Sequence, residues 1–478
     1  MRKRSVSTNT VIVLIGQGLS LFTTLLLTPI QLSEMGLEKY GLLTLVISVV
    51  GLATVLDFGL GWASLHFMPQ TGTIEDSRVL ARRVLLAGLG LGLMAAVIPA
   101  VVIPLVAPDT PISIVVLGSL LVPVTVIVNC LYSLIRSTGD FVRSTLIATT
   151  TVVTSNVVWA LSAGEAYDVQ IVLAWLIGLA VCASLYMWFR VLSARPVHLN
   201  EFVDTASVSP LVSTRKLLRF SATSSLLGVS AVLATTADKV VMGAAVGVAT
   251  LPLYSVSVAL TARIMIFSSA LTAVAFPRLS QAQGEGDQRT ARTLAQRVLV
   301  STAALSATLA MAMILAGPTF FSAWISPEFA DSTTWIVRPL AIGFAVYGIG
   351  QLGFAANDAR GLVGRSSRAN LVVIVPTLAL TAVVAATRGV VAGSFTFALG
   401  ITLIGCIGIW LGGDYRALVS PLALTLISVP IVVSLAVWSI LVAVHATAML
   451  ELVIFAICLA PVLLWQLRLL RRPTVLRV

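Results

Sequence analysis

Ala81-Arg82-Arg83-Val84-Leu85 returns 214 residues later as Ala295-Gln296-Arg297-Val298-Leu299. Tyr40 and Tyr254 stand at the same separation. Further along, Gly139-x-x-x-Arg143-Ser144 returns as Gly361-x-x-x-Arg365-Ser366, now at an offset of 222. The offset grows where the connection from Pro318 to Thr334 is longer than its counterpart from Ala107 to Pro111. An insertion is best tolerated in a loop, so this stretch is predicted to be one. Each short word is weak alone, but their common order marks a duplicated chain.

Outward from these words the sequence is almost continuously apolar. Hydrophobic residues make up 58% of the 478 and charged residues 10%, and mean hydropathy is +1.03. Soluble domains carry about 25% charged residues, so this chain cannot cover itself with a water-facing surface. A lipid-facing surface suits it. With roughly 20 apolar residues per spanning helix, fourteen stretches qualify: 10–32, 40–67, 84–106, 112–135, 144–163, 169–192, 217–243, 250–275, 294–317, 335–356, 369–387, 391–411, 418–443 and 448–468. No room remains for a soluble catalytic domain. The run from Val11 to Ile30 follows Met1-Arg2-Lys3-Arg4. It exceeds the roughly 7–15 residues of a signal-peptide core, so it is read as an uncleaved first span.

The repeat words place six spans in each half. Six is even, so the halves have the same orientation, related by an axis along the membrane normal. The predicted organisation is a six-helix lobe (1–192), a polar cytoplasmic linker (193–216), a second six-helix lobe (217–411), and two extra spans with a basic tail (412–478). This is an all-α polytopic membrane protein suited to alternating access.

The net charge of +11 reports orientation. With both termini cytoplasmic, 25 of the 30 Lys and Arg fall on the cytoplasmic side, and only Lys39, Arg338 and Arg388 on the outer side. This is the positive-inside asymmetry. It leaves the basic balance to membrane headgroups and needs no nucleic-acid partner. The cysteines, Cys130, Cys182, Cys406 and Cys458, have no paired or metal-ligand spacing and read as small apolar fillers.

Ionisable groups at membrane depth are costly and point to function. Asp57 and Asp238 are the two acidic residues inside spans, and Lys239 and Arg263 the two basic ones. Asp57 lies in Leu56-Asp57-Phe58-Gly59-Leu60-Gly61. It carries a proton or ion, binds substrate hydroxyls, or hydrogen-bonds locally at a kinked span. Asp238-Lys239 offers either a mutually compensated pair or, through Lys239, a contact to an anionic headgroup. Arg263 is suited to bidentate phosphate binding, or to a salt bridge with Asp238 or Asp57. Gln17 and His66 are weaker candidates, an interhelical polar contact and a cytoplasm-facing side chain being the alternatives. The three histidines are isolated, and there is no phosphate loop or nucleophile elbow. The chain therefore reads as a transporter and not an enzyme, with no bound cofactor; the coupling, if any, is to H+ or Na+ through Asp57 or Asp238.

Gly36-Leu37-Glu38-Lys39-Tyr40-Gly41-Leu42, the Asp57 segment above, and Ala237-Asp238-Lys239-Val240-Val241-Met242-Gly243 with Leu253-Tyr254-Ser255 resemble oligosaccharide flippases. These are the Wzx-type polysaccharide transporters of the multidrug/oligosaccharidyl-lipid/polysaccharide (MOP) exporter superfamily. The resemblance implies a MATE-like fold in a bacterial plasma membrane. It also implies a lipid-linked oligosaccharide, usually on undecaprenyl pyrophosphate, flipped from the cytoplasmic to the outer leaflet. By the same resemblance Lys239 and Arg263 meet the phosphate-bearing headgroup, and a polysaccharide polymerase and assembly proteins are partners. Peptidoglycan-precursor flippases of the superfamily have a more arginine-rich first lobe, and span 1 here carries no charge. A MATE-type exporter of drugs or small cations is the nearest alternative, predicting an acidic, aromatic-lined cavity. A membrane glycosyltransferase or polymerase would carry catalytic groups on a large outer loop, and Pro318–Thr334 holds only Glu328 and Asp331. A scaffold that recruits glycan-assembly enzymes is the remaining alternative.

Overall fold

The computed structural model describes residues 6–57, 59–68, 74–137, 141–165, 173, 176–186, 228–230, 232–266, 268, 288–359 and 362–412. The described elements are all helical. In chain order they are α1 (Val6–Ala53), a 3-10 turn (Thr54–Asp57), α2 (Leu60–Phe67), α3 (Ile74–Ala95), α4 (Val97–Val106), α5 (Ile112–Ser137) and α6 (Phe141–Leu161). There follow α7 (Leu176–Tyr186), α8 (Ala237–Val246), α9 (Leu251–Thr261), α10 (Gln288–Trp324), α11 (Pro327–Ala359) and α12 (Val363–Leu411). Each of the first twelve predicted spans contains helix. The last two, and the predicted linker 193–216, lie outside the described residues.

The longest helices show how one glycine makes two spans of one. A straight helix of 48 residues, the length of α1, would run about 72 Å, more than twice a hydrocarbon core of about 30 Å. Gly36 breaks it at φ 74°, ψ 165°. Gly389 breaks α12 at φ 85°, ψ 178°. Gly247, at φ 82°, ψ 162°, ends α8 before α9. These are the connections predicted between spans 1 and 2, 11 and 12, and 7 and 8. Residues with a Cβ are essentially excluded from this backbone region. A Cβ on Gly36 would meet nothing within 4 Å, so its substitution tests the backbone alone. Gly36→Ala is expected to cost about 1–3 kcal/mol and lower the melting temperature in detergent. Gly90→Ala, on α3 with open space around it, serves as the control with little change.

The chain divides into two compact units, residues 1–249 and 250–478. In the first, α1 packs on α6 and α3 on α5. Gln31 Nε2 donates to the Asn156 carbonyl at 3.2 Å, and Asn156 Nδ2 to Thr24 Oγ1 at 3.1 Å. These bonds fix α1 against α6 where apolar contact alone gives little preference over lipid. The α8 segment belongs to this unit and packs on α1 and α4. In the second unit the principal contact is α11 against α12. Small residues let their backbones touch: a Cβ on Gly350 would stand 2.5 Å from the Gly405 carbonyl oxygen, and one on Gly353 would collide with that of Gly408. Both units turn large apolar side chains outward, among them Phe22, Met94, Leu105, Val372 and Leu399, as a lipid-facing surface requires. Hydroxyls inside the spans donate back along their own helices, as Thr28 does to Thr24 (2.7 Å) and Ser119 to Val115 (2.7 Å).

One expectation is corrected. The stretch Pro318–Thr334 is not a loop, since α10 runs to Trp324 and α11 starts at Pro327. Ser326 caps α11, its Oγ accepting from the Phe329 N–H at 3.2 Å, with Pro327 at the first helical position and Glu328 in the first turn. The extra residues of the second repeat therefore lengthen helices. Arg338, expected on the outer side, is a buried side chain. It is 7% exposed, its guanidinium lies 5.5 Å from the Trp335 ring, and its Nε is 3.5 Å from the Ile314 carbonyl oxygen.

Candidate functional site at helix breaks

The charged residues singled out inside the spans sit at interruptions of their helices. Span 7 is helical over 232–235, leaves helical geometry at Thr236 (φ −136°, ψ −37°), and resumes as α8. Asp238 is in the first turn of α8, where the unpaired N–H groups and the helix dipole favour a carboxylate. Lys239 Nζ donates to the Thr235 carbonyl at 2.8 Å, on the last turn of the preceding segment, where the dipole favours a cation. The two side chains also meet, Nζ to Oδ1 at 3.4 Å. The break thus compensates both charges, which explains how Asp238 is tolerated at 0% exposure. Lys239 keeps 17% exposure, and an ammonium has three donors. A further acceptor can therefore reach it.

Arg263 occupies the corresponding kind of position after α9. The α-helix ends at Thr261, and Arg263 N–H bonds to Leu260 O (3.1 Å), Met265 N–H to Ala262 O (3.0 Å) and Ile266 N–H to Arg263 O (3.0 Å). These i to i−3 bonds tighten the chain into a turn that leaves carbonyl oxygens less well satisfied. The Arg263 side chain is half-buried. Within its own unit its guanidinium has no hydrogen-bond or ion-pair partner among the described residues. Such a guanidinium fork suits a planar or tetrahedral oxyanion.

Asp57 ends the 3-10 turn, and α2 begins after Gly59, which is left-handed at φ 70°, ψ 25°. The N-cap position of α2 is therefore Gly59. Gln17 lies in α1 and His66 in α2; the side chains of Asp57, Gln17 and His66 lie outside the described residues. Among the described residues no cluster of three metal-ligating side chains occurs.

A polar cluster that sequence reading overlooked lies between α11 and α12. Asn357 Nδ2 donates to Ser366 Oγ at 2.8 Å and to the Leu362 carbonyl at 3.2 Å. Asp358 lies against Ser366, yet its buried Oδ1 has no partner among the described residues, and neither has Asn370 Oδ1. The Tyr347 hydroxyl is approached by Asn370 and Gln351. A helical period was the available signal: 347, 351 and 358 lie along one face of α11, and 366 and 370 along one of α12.

Solved structures of similar fold include an inward-facing conformation of a multidrug resistance MATE family transporter of the MOP superfamily. Its TM-score is 0.66 at 15% identity, covering 84% of this chain and 96% of that one. A MATE transporter in the straight conformation gives 0.59 at 15%, covering 86% and 95%. A MOP superfamily transporter from Pyrococcus furiosus Vc1, for which a reversed polarity of the binding pocket suggests a different function, gives 0.57 at 15%, covering 85% and 94%. At these identities the likeness shows the fold. No curated protein matches in sequence. The family model of polysaccharide biosynthesis proteins matches residues 4–283, a stretch that includes Asp57, Asp238, Lys239 and Arg263. The chain is a multi-pass membrane protein with the MATE-like fold of the MOP transporters, and it belongs to the polysaccharide biosynthesis protein family.

Proposed function

We propose that the chain flips a lipid-linked oligosaccharide, of the undecaprenyl-pyrophosphate type, from the cytoplasmic to the outer leaflet of a bacterial plasma membrane. The observation that carries this reading is a pair of cations at helix breaks, Lys239 and Arg263, in a member of a polysaccharide biosynthesis family. The charged headgroup enters a polar cavity while the lipid tail stays in the bilayer. Alternating access then moves it without chemical change, with both termini cytoplasmic. Asp57 or Asp238 is the group assigned to proton or sodium coupling, and a polysaccharide polymerase and assembly proteins are the downstream partners. The MATE transporters of similar fold support a second reading, export of drugs or small cations. The two intramembrane cations weigh against a cationic substrate, because like charges at low dielectric repel strongly.

The test is reconstitution in proteoliposomes with a labelled lipid-linked oligosaccharide, with and without proton and sodium gradients. Protein-dependent transfer of the label between leaflets is the expected result. Absence of transfer under every gradient, together with extrusion of a cytotoxic cation by the same preparation, would transfer the assignment to the second reading.

A further inference from the structure

The first unit holds two adjoining cavities that the transport reading does not use. One, of about 560 Å³, is lined by Glu75, Arg78, Val79 and Arg82. The other, of about 810 Å³, shares Arg78 and Arg82 but is otherwise largely apolar. Its walls include Leu85 and Leu89 of α3, Ile127 and Leu131 of α5, and Tyr186 of α7. The two arginines therefore mark the junction of a polar and an apolar compartment.

The sequence of α3 explains this shape. Residues 78, 82, 85 and 89 recur at helical spacing, so they form one stripe that is cationic at one end and leucine at the other. From Arg78 to Leu89 the stripe runs ~16 Å, about half of a hydrocarbon core and therefore one leaflet deep. Leu86, Leu89 and Tyr186 are 58%, 42% and 45% exposed, so the apolar compartment is open along its side. Like charges at i and i+4 repel each other on a helix. Among the described residues neither guanidinium has an ion-pair partner within 4.0 Å. An anion between Arg78 and Arg82 would relieve that repulsion.

Glu75 restricts which anion fits. Its carboxylate shares the polar compartment, where it opposes a multiply charged group such as a pyrophosphate. It favours a single phosphodiester charge whose headgroup offers a hydroxyl hydrogen. The positive-inside pattern puts this end of α3 at the cytoplasmic face, where anionic phospholipids are available.

We propose that Arg78, Arg82 and the groove below them bind an anionic phosphodiester phospholipid of the cytoplasmic leaflet. The phosphate sits between the two guanidinium groups, and an acyl chain lies along the α3–α5–α7 wall. The inference is independent of which substrate the protein flips.

Native mass spectrometry of the full-length protein tests it. Phosphatidylglycerol and phosphatidylcholine with identical acyl chains are offered at equal concentration. Wild type is expected to retain phosphatidylglycerol preferentially, with about a fivefold loss for each of Arg78→Gln and Arg82→Gln. Ala183→Trp, which places a ring in the apolar groove, is expected to reduce retention with both arginines intact. Equal retention of the two lipids, or an unchanged preference in the double arginine variant, overturns the proposal. Full displacement by glycerol phosphate, which has no tail, overturns the acyl-chain part. Displacement by lipid-linked oligosaccharide at lower concentration than by phosphatidylglycerol itself assigns the groove to substrate and overturns the phospholipid.

Discussion

Arg263→Ala is expected to reduce surface display of the glycan at least about tenfold, at wild-type protein levels, in cells that rely on this chain. One charge-assisted contact to a phosphate is worth about 1.5–3 kcal/mol, and each 1.4 kcal/mol is a factor of ten. Arg263 is at a turn where α9 has ended, and its guanidinium has no partner among the described residues of its unit. Among the described residues of its unit its removal orphans no carboxylate, so stability should change little. Arg263→Lys keeps the charge and loses the planar fork, and should restore part of the display. Lys239→Ala needs a different control. It strips Asp238, at 0% exposure, of its charged neighbour, and breaking a buried pair costs about 3–5 kcal/mol. Asp238→Asn combined with Lys239→Ala should restore protein level. If display returns with it, Lys239 is a structural residue. If display stays low, Lys239 meets the substrate. Normal display with both Arg263→Ala and Lys239→Ala would defeat the headgroup-contact reading.

Gly353→Leu is expected to abolish recovery of folded protein. Adding a methylene to an ordinary core costs about 1–3 kcal/mol because neighbouring side chains move. Here the obstacle is the carbonyl of Gly408, a backbone atom on the facing helix, which moves only if the two helices separate. Gly350 packs against Gly405 in the same way, a Cβ on it falling 2.5 Å from the Gly405 carbonyl oxygen, so the second contact resists that separation. The α11–α12 pairing is the largest contact of its unit. Gly90→Leu on α3, where nothing stands within 4 Å, should give normal yield and a single peak on size exclusion. Gly353→Leu protein that elutes as a sharp peak with wild-type melting would mean that the α11–α12 contact does not hold the unit together.

Much of the fold is legible before any coordinates. Helix within each of the first twelve apolar stretches follows from their length and composition, because lipid leaves such a segment few alternatives to a helix. The reading failed where a polar signal lay in an apolar context. Ser326-Pro327-Glu328 is a helix start, but the surrounding Pro318–Thr334 was assigned to a loop because a shorter counterpart made it look inserted. Arg338 reads from the sequence as an outer-side charge, and nothing in the sequence shows that its side chain is buried. Its burial depends on Trp335 beside it and on the Ile314 carbonyl of another helix. The Tyr347–Asn357–Asn370 cluster was missed because only two facing helices together reveal that these polar groups meet.

The repeated Ala81–Leu85 words, the apolar lengths and the skewed arginines determine a duplicated helical membrane chain, since hydrocarbon tolerates few other solutions. The same sequence marks Asp57, Asp238, Lys239 and Arg263 as costly charges. Only the tertiary structure decides how the described ones are held. Asp238 and Lys239 are matched to the positive and negative helix ends that meet at the break, and Arg263 stands where an α-helix tightens into a turn. Whether a helix breaks at one residue depends on what its neighbours offer the freed carbonyls and N–H groups, and those neighbours are distant in the chain.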